Sequence, residues 1–261
     1  MYKRQGIAGA AIASSVSEAV SLLFFIIYTS MTADKRKYGF RRAFTLRPHL
    51  LKGMLSISGW TMVQSFISVS IWFIFFLAIE HLGERPLAVT NIVRNISALL
   101  IMVISAFATT AGALISNQIG AGEQRCLFKT CGMTLKLTYA ILIPLLIILC
   151  LFPEPVLRAF TDSPSLIAAS VNSVYVMASS TLIMAPSFIL FNAVSGTGNT
   201  KAGFIMEMIS LAVYTAVIYY GIIRLKPDVA LCWFSEHVYG VTLIILAWWY
   251  LKSGKWRGKK V

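Results

Sequence analysis

The chain is short of charge, and of acid most of all. Asp and Glu together number 10 in 261 residues, and charged residues make up 13% of the sequence against 57% hydrophobic. With a mean hydropathy of +0.76, there is too little charge to clothe a water-soluble domain of this size, whereas lipid accepts an apolar exterior directly. Cysteine is scarce as well. Cys126, Cys131, Cys150 and Cys232 lack metal-ligand spacing, and the first two lie in or beside a basic gap, so they read as reduced thiols. Histidine is scarcer still: His49, His81 and His237 fall at scattered levels with no nucleophile–base pair, which argues against a membrane-embedded enzyme. No cofactor is expected, and no nucleotide-binding motif is present. The string Ser195-Gly-Thr-Gly-Asn-Thr-Lys201 lacks P-loop spacing and follows an apolar run rather than a strand, so it reads as a tight turn.

What the sequence has instead is length of apolar run. A bilayer core needs about 20 mostly apolar residues per helix, and seven segments qualify: 7–31, 55–79, 87–116, 133–152, 166–191, 203–225 and 229–251. The predicted fold is an all-α polytopic membrane protein with seven transmembrane helices. The third run is long enough to tilt or to extend beyond the lipid. The last two are parted by little more than Lys226-Pro227-Asp228, a tight helical hairpin. Pro144 and Pro186 lie inside spans, where neighbouring helices and water satisfy the carbonyls they free.

The net charge of +13 does not point to nucleic acid, whose binders spread Lys and Arg over a folded face. Here the basic residues sit between the apolar runs. Sixteen Lys and Arg occupy one alternating set of gaps, and four (Arg85, Arg158, Arg224 and Lys226) occupy the other. The positive-inside rule therefore places the 32–53 loop and the C-terminus in the cytoplasm, and the basic loop is suited to anionic lipid. The first span then runs from outside to inside. A complete protein rarely starts that way without a signal, so an upstream region is expected. Residues 1–5, Met-Tyr-Lys-Arg-Gln, resemble a translated sequencing-adapter scar and are set aside.

Several strings, taken in order, resemble those of multidrug and toxic compound extrusion (MATE) transporters. Gly6-Ile-Ala-Gly-Ala-Ala-Ile-Ala13 is similar to the small-residue opening of the sixth helix, and Val89-Thr-Asn-Ile-Val-Arg-Asn-Ile96 to the start of the eighth. Ser116-Asn-Gln-Ile-Gly-Ala-Gly-Glu123 resembles the turn that follows, and Ser195-Gly-Thr-Gly-Asn-Thr-Lys201 the turn between helices ten and eleven. Trp256, among basic residues, matches the common ending. Phe75–Glu80 with Gly83-Glu84-Arg85-Pro86 looks most like the branch found in Bacteroidetes.

The resemblance covers Gly6 to the end and implies helices six to twelve. Residues 6–31 are then the last helix of a missing N-terminal lobe, 32–53 a basic linker, 54–251 one six-helix lobe and 252–261 a basic tail. It implies export of small organic, often cationic, drugs or metabolites in exchange for H+ or Na+ across a bacterial inner membrane. The partners expected are lipid and the missing lobe of the same chain. A lipid-linked oligosaccharide flippase of the same superfamily is the alternative. Such cavities tend to be strongly cationic, and only Arg94 lies deep in the bundle.

Charged groups within lipid are costly and mark candidate functional sites. These are Glu18, Arg94, Glu207 and Glu236. By helical rise, Arg94 and Glu236 each lie about 10 Å in from the outer side and are expected to pair. Glu236 is the candidate for proton or cation coupling, because a carboxylate whose partner changes between conformations changes its affinity for a cation. Glu207 lies about 6 Å from the cytoplasmic start of its span and is expected to snorkel. That leaves about 16 Å along the normal between the two acids, too far to share one cation. Glu18 stands near the bilayer centre, on the helix that belongs to the missing lobe.

Gln64 lies where the sodium-coupled branch of the family often carries an acid, and Asn91 and Asn95 share a helical face beside Arg94. That branch's tenth-helix aspartate has no counterpart in residues 166–191, so its Na+ site does not transfer. The many aromatics include Tyr214 and Tyr239. Each reads first as packing or as an interfacial anchor, and Trp248, Trp249 and Tyr250 as an inner belt.

The topology has a direct check. Green fluorescent protein fused after Val261 is expected to fluoresce, and alkaline phosphatase at the same point to stay inactive. The opposite pair of signals would invert the orientation.

Overall fold

A computed structural model describes residues 6–32, 47–254 and Trp256. The scar assigned to residues 1–5, most of the basic loop, and the tail apart from residues 252–254 and Trp256 lie outside the described residues. Among the described residues, seven helices are long and apolar enough to cross a membrane, as the seven apolar runs predict. The chain divides into two units, Met1–Met54 and Leu55–Val261. The first holds helix α1 (Gly6–Thr32), whose side chains from Ala11 onward are all exposed, Glu18 included. A mainly apolar helix of this length is suited to lipid or to a partner helix.

The second unit contains the rest of α2 (Pro48–Glu80) and then α3 (Glu84–Gly120), α4 (Leu127–Leu151) and the short α5 (Pro153–Arg158). There follow α6 (Pro164–Gly196), α7 (Thr200–Val217), α8 (Val229–Cys232) and α9 (Phe234–Ser253). Several helices run past the apolar limits read from the sequence. Nothing in the polar flanks stops a helix until a glycine or proline does so. Gly122 (φ 83°) and Gly198 (φ 78°) take the left-handed backbone that a turn between antiparallel helices requires.

Two spans are not the uniform helices expected. Beyond Tyr214, α7 passes into a π-helical segment, Ile218–Arg224. The last span is interrupted at Trp233, with α8 before the break and α9 after it. Between the two spans, Lys226 takes φ 46° and the Asp228 side chain accepts from the Val229 amide at 2.8 Å, which caps the next helix.

Helix α6 is the axis of the lobe and packs on α3, α4, α7 and α9. With no hydrophobic drive between helices in lipid, association rests on close packing at small residues. A side chain on Gly196 would fall on the Gly112 carbonyl oxygen of α3. One on Gly112 would come 2.9 Å from the Asn192 carbonyl oxygen, and one on Gly240 of α9 2.9 Å from Ile183 Cγ2. Gly120 and Gly196 stay within their helices rather than in the turns that their strings suggest, and Gly196 serves close approach to α3.

The turn after α6 is structural, as its spacing suggests. Asn199 caps α7 by accepting from the Ala202 amide at 3.2 Å, and its Nδ2 donates to the Tyr250 hydroxyl at 2.6 Å. Tyr250 is thereby half-buried and tied inward, while Trp248 and Trp249 remain exposed. All four cysteines are free.

Gly196→Ala is expected to destabilise the lobe by about 1–3 kcal/mol, because its Cβ meets backbone that cannot step aside. Gly120→Ala, with nothing within 4 Å of the new Cβ, should be neutral or slightly stabilising. Thermal unfolding of the detergent-solubilised chain reads both.

Candidate functional site

Five helices of the second unit surround a cavity of about 630 Å³. Its wall follows helical periodicity. Ser68, Trp72 and Phe76 come from one face of α2, Arg94 and Ile101 from α3, and Met184 and Phe188 from α6. Glu207, Leu211 and Tyr214 come from α7, and Glu236 and Tyr239 from α9. The lining is mostly apolar and aromatic, with a few polar groups set into it, as ligand sites usually are.

The two carboxylates are held by a crossed set of hydroxyls. Glu207 Oε1 accepts from Ser68 Oγ at 2.8 Å and from the Tyr239 hydroxyl at 2.9 Å. Glu236 Oε1 accepts from the Tyr214 hydroxyl at 2.8 Å. Helices α7 and α9 are antiparallel, so the acid of each meets the phenol of the other. The two rings lie edge to face, with centroids 5.8 Å apart. Phe75 and Trp233 back the Tyr214–Glu236 pair, their centroids 5.8 Å apart. Glu207, Glu236 and Tyr214 are buried, so each acid needs the donors it has.

This arrangement corrects two expectations. Glu207 does not snorkel: it is 4% exposed and clasped from α2 and α9. Hydroxyls from α2 and α9 stand in for the water that snorkelling would have reached. The acids also lie closer along the helices than estimated. Tyr214, which touches Glu236, is seven residues from Glu207, about 10 Å of rise.

Arg94 and Glu236 do line one cavity, but no ion pair joins them among the described residues. The Arg94 guanidinium instead stands 5.1 Å from the Phe76 ring centroid, and its buried Nε has no hydrogen-bond partner.

Of the remaining candidates in this unit, Gln64, Asn91 and Asn95 are not among the residues that line the cavity. Gln64 is one turn from it, its carbonyl 3.0 Å from Ser68 Oγ and a competing acceptor for the one proton that the hydroxyl gives Glu207. Asn91 donates back to the Leu87 carbonyl at 3.1 Å, and Asn95 is exposed. Glu18 belongs to the other unit. No group of three or more His, Cys, Asp or Glu suited to a metal occurs among the described residues. Sequence reasoning missed Ser68, which carries no signal of its own. Tyr239 and Tyr214 had a faint one, lying three residues from Glu236 and seven from Glu207, each on its acid's own face.

A membrane-embedded helical lobe around a mainly apolar cavity with buried carboxylates is the architecture of a transporter. The MatE family model matches residues 61–220, and the chain belongs to that family. It is 24% identical over 277 aligned positions to "Probable multidrug resistance protein NorM" of Thermotoga maritima, covering 100% of this chain and 56% of that protein. It is 23% identical to "Uncharacterized transporter YisQ" of Bacillus subtilis, covering 79% of this chain and 45% of the other. The chain thus spans about half the length of the curated relatives it matches. Among solved structures, a mutant of the Vibrio cholerae MATE transporter VcmN superposes with a TM-score of 0.72 at 16% identity, over 81% of this chain and 48% of that one. A MOP superfamily transporter from Pyrococcus furiosus gives 0.68 at 14%, over 76% and 44%. These likenesses are of fold.

The crossed hydroxyls predict a stability effect. Tyr239→Phe removes one of two donors to Glu207 and is expected to cost about 1–3 kcal/mol. Adding Ser68→Ala should cost more than the sum of the two single changes, because the carboxylate is then left bare. Strict additivity in thermal unfolding would show that the three groups do not act as one unit.

Proposed function

We propose that this chain is the C-terminal lobe of a secondary antiporter that exports small organic, often cationic, compounds in exchange for H+ or Na+. The observation that carries the reading is the pair of buried carboxylates, Glu207 and Glu236, set on the wall of one aromatic-lined cavity. A cation entering such a cavity finds carboxylates already desolvated, together with the ring of Trp72 on the same wall. Glu236 is the coupling group in this reading, and Glu207 is a second acid of the same cavity. A missing N-terminal lobe completes the transporter, in a bacterial inner membrane with the C-terminus cytoplasmic. Two acids against one base also weigh against a flippase, since a lipid-linked pyrophosphate would be repelled by both carboxylates.

Antiport makes transport depend on the ion gradient and on the acid that reads it. Ethidium efflux from cells carrying the full reading frame is expected to stop when ionophores dissipate the gradients. Glu236→Gln should lower it at least about tenfold, the loss of one charge-assisted contact. Efflux that survives both treatments would overturn the reading.

A further inference from the structure

Pro186 stands inside α6, the axis of the lobe, and a proline there has no N–H to give the carbonyl four residues before it. That carbonyl belongs to Leu182. Within an apolar span neither lipid nor water offers it a donor. Another helix supplies one: the Tyr139 hydroxyl of α4 donates to the Leu182 carbonyl at 2.7 Å. A bond that α6 would otherwise make within its own backbone is thus made by a side chain 43 residues away.

The turns just before Pro186 are already loosened. Ser179 donates back to the Val176 carbonyl at 2.7 Å, and Ser180 and Thr181 to that of Met177, each at 2.8 Å. Such back-bonds bend helices. The two parts of α6 are also held by different neighbours. Before the proline, Ser179 Oγ lies 3.0 Å from His237 Nε2, and Gly240 lets α9 lie against Ile183. Beyond it, α6 is pressed on α3 at Gly112 and Gly196. Met184 and Phe188, which straddle Pro186, both line the cavity.

We propose that Tyr139 is a positioning residue for the cavity. Its hydroxyl replaces the backbone bond that Pro186 removes. It thereby fixes the angle between the two parts of α6, and with it the places of Met184 and Phe188. Tyr139 is not among the residues that line the cavity, and it acts on the wall through α6. Without the hydroxyl, α6 flexes about Leu182–Pro186, where the Leu182 carbonyl is left bare. The inference goes beyond the proposed function and does not rest on it, since it concerns how the wall is held, whatever the lobe carries.

The test is a cycle of Tyr139→Phe and Pro186→Ala in the full chain in lipid nanodiscs. Tyr139→Phe keeps the ring in its packing and removes the donor. Hydrogen exchange of the amides at 183–191, read by mass spectrometry, is expected to rise about tenfold, one hydrogen bond's worth. Exchange at 104–115 of α3 should keep its rate. The ε-methyl resonance of 13C-labelled Met184, assigned by its absence in Met184→Leu, should move. Pro186→Ala gives Leu182 a backbone N–H, so adding Tyr139→Phe to it should change exchange by less than about twofold. The Met184 signal should then stay where Pro186→Ala has it. An unmoved Met184 signal in Tyr139→Phe overturns the proposal. So does exchange at 183–191 that stays as it was or rises equally in α3, or the same response to Tyr139→Phe with and without Pro186. If Pro186→Ala does not fold, as read by size-exclusion profile and helicity, Tyr139→Phe decides alone, by the Met184 signal and the confinement of exchange to α6.

Discussion

Within a bilayer a polar group finds no water to bond, and the lobe is organised around that constraint. The backbone meets it by staying helical, and the few carboxylates meet it by taking hydroxyls from other helices. Glu207 on α7 is reached by Ser68 from α2 and Tyr239 from α9, and Glu236 on α9 by Tyr214 from α7. Each bond therefore satisfies an acid and also joins two helices. Because α7 and α9 are joined by a tight hairpin, their crossing pairs come into register without a long connection. The wall that results is apolar in area and polar at a few chosen points, which is what a binding cavity needs.

The same constraint shapes the packing. Lipid tails are as apolar as the side chains that meet them, so helices hold together only where they come close. Gly112 and Gly196 bring the backbones of α3 and α6 together, and Gly240 lets α9 lie against Ile183 of α6. With α6 so gripped on two sides, the cavity walls on α3 and α9 are held relative to one another. The breaks in regularity occur near the acids. Trp233, where the last span is interrupted, lies three residues before Glu236, and the π-helical segment opens four residues after Tyr214. Such irregularities inside spans are tolerated where they border protein or a cavity, and they recur at functional sites. The pair that Glu236 makes with Tyr214 thus sits between the two least regular stretches of the lobe.

Arg94 shows the limit of pairing by depth. Helical rise placed it level with Glu236, and both do reach one cavity. Yet level alone does not specify rotation, and the nearer phenol of Tyr214 engages the acid while Phe76 covers the guanidinium. The cavity is left with charge of both signs unmatched to each other.

Low charge and long apolar runs were enough to determine an all-helical membrane chain, its seven spans and the hairpin at Lys226-Pro227-Asp228. The ordered strings from Gly6 to Trp256 were enough for the family. These features are local: run length is set by lipid thickness, and turn glycines by backbone sterics. Glu207, Glu236 and Arg94 were likewise visible as costly residues in apolar runs. Their partners were not. Ser68 is 139 residues from Glu207 and Tyr239 is 32 away, and nothing in the intervening sequence encodes their meeting. The burial of Glu207, the idleness of Arg94 and the close approach at Gly196 were decided only when the helices packed. Burial and pairing depend on which faces turn toward each other, and a hydropathy run carries no such angle.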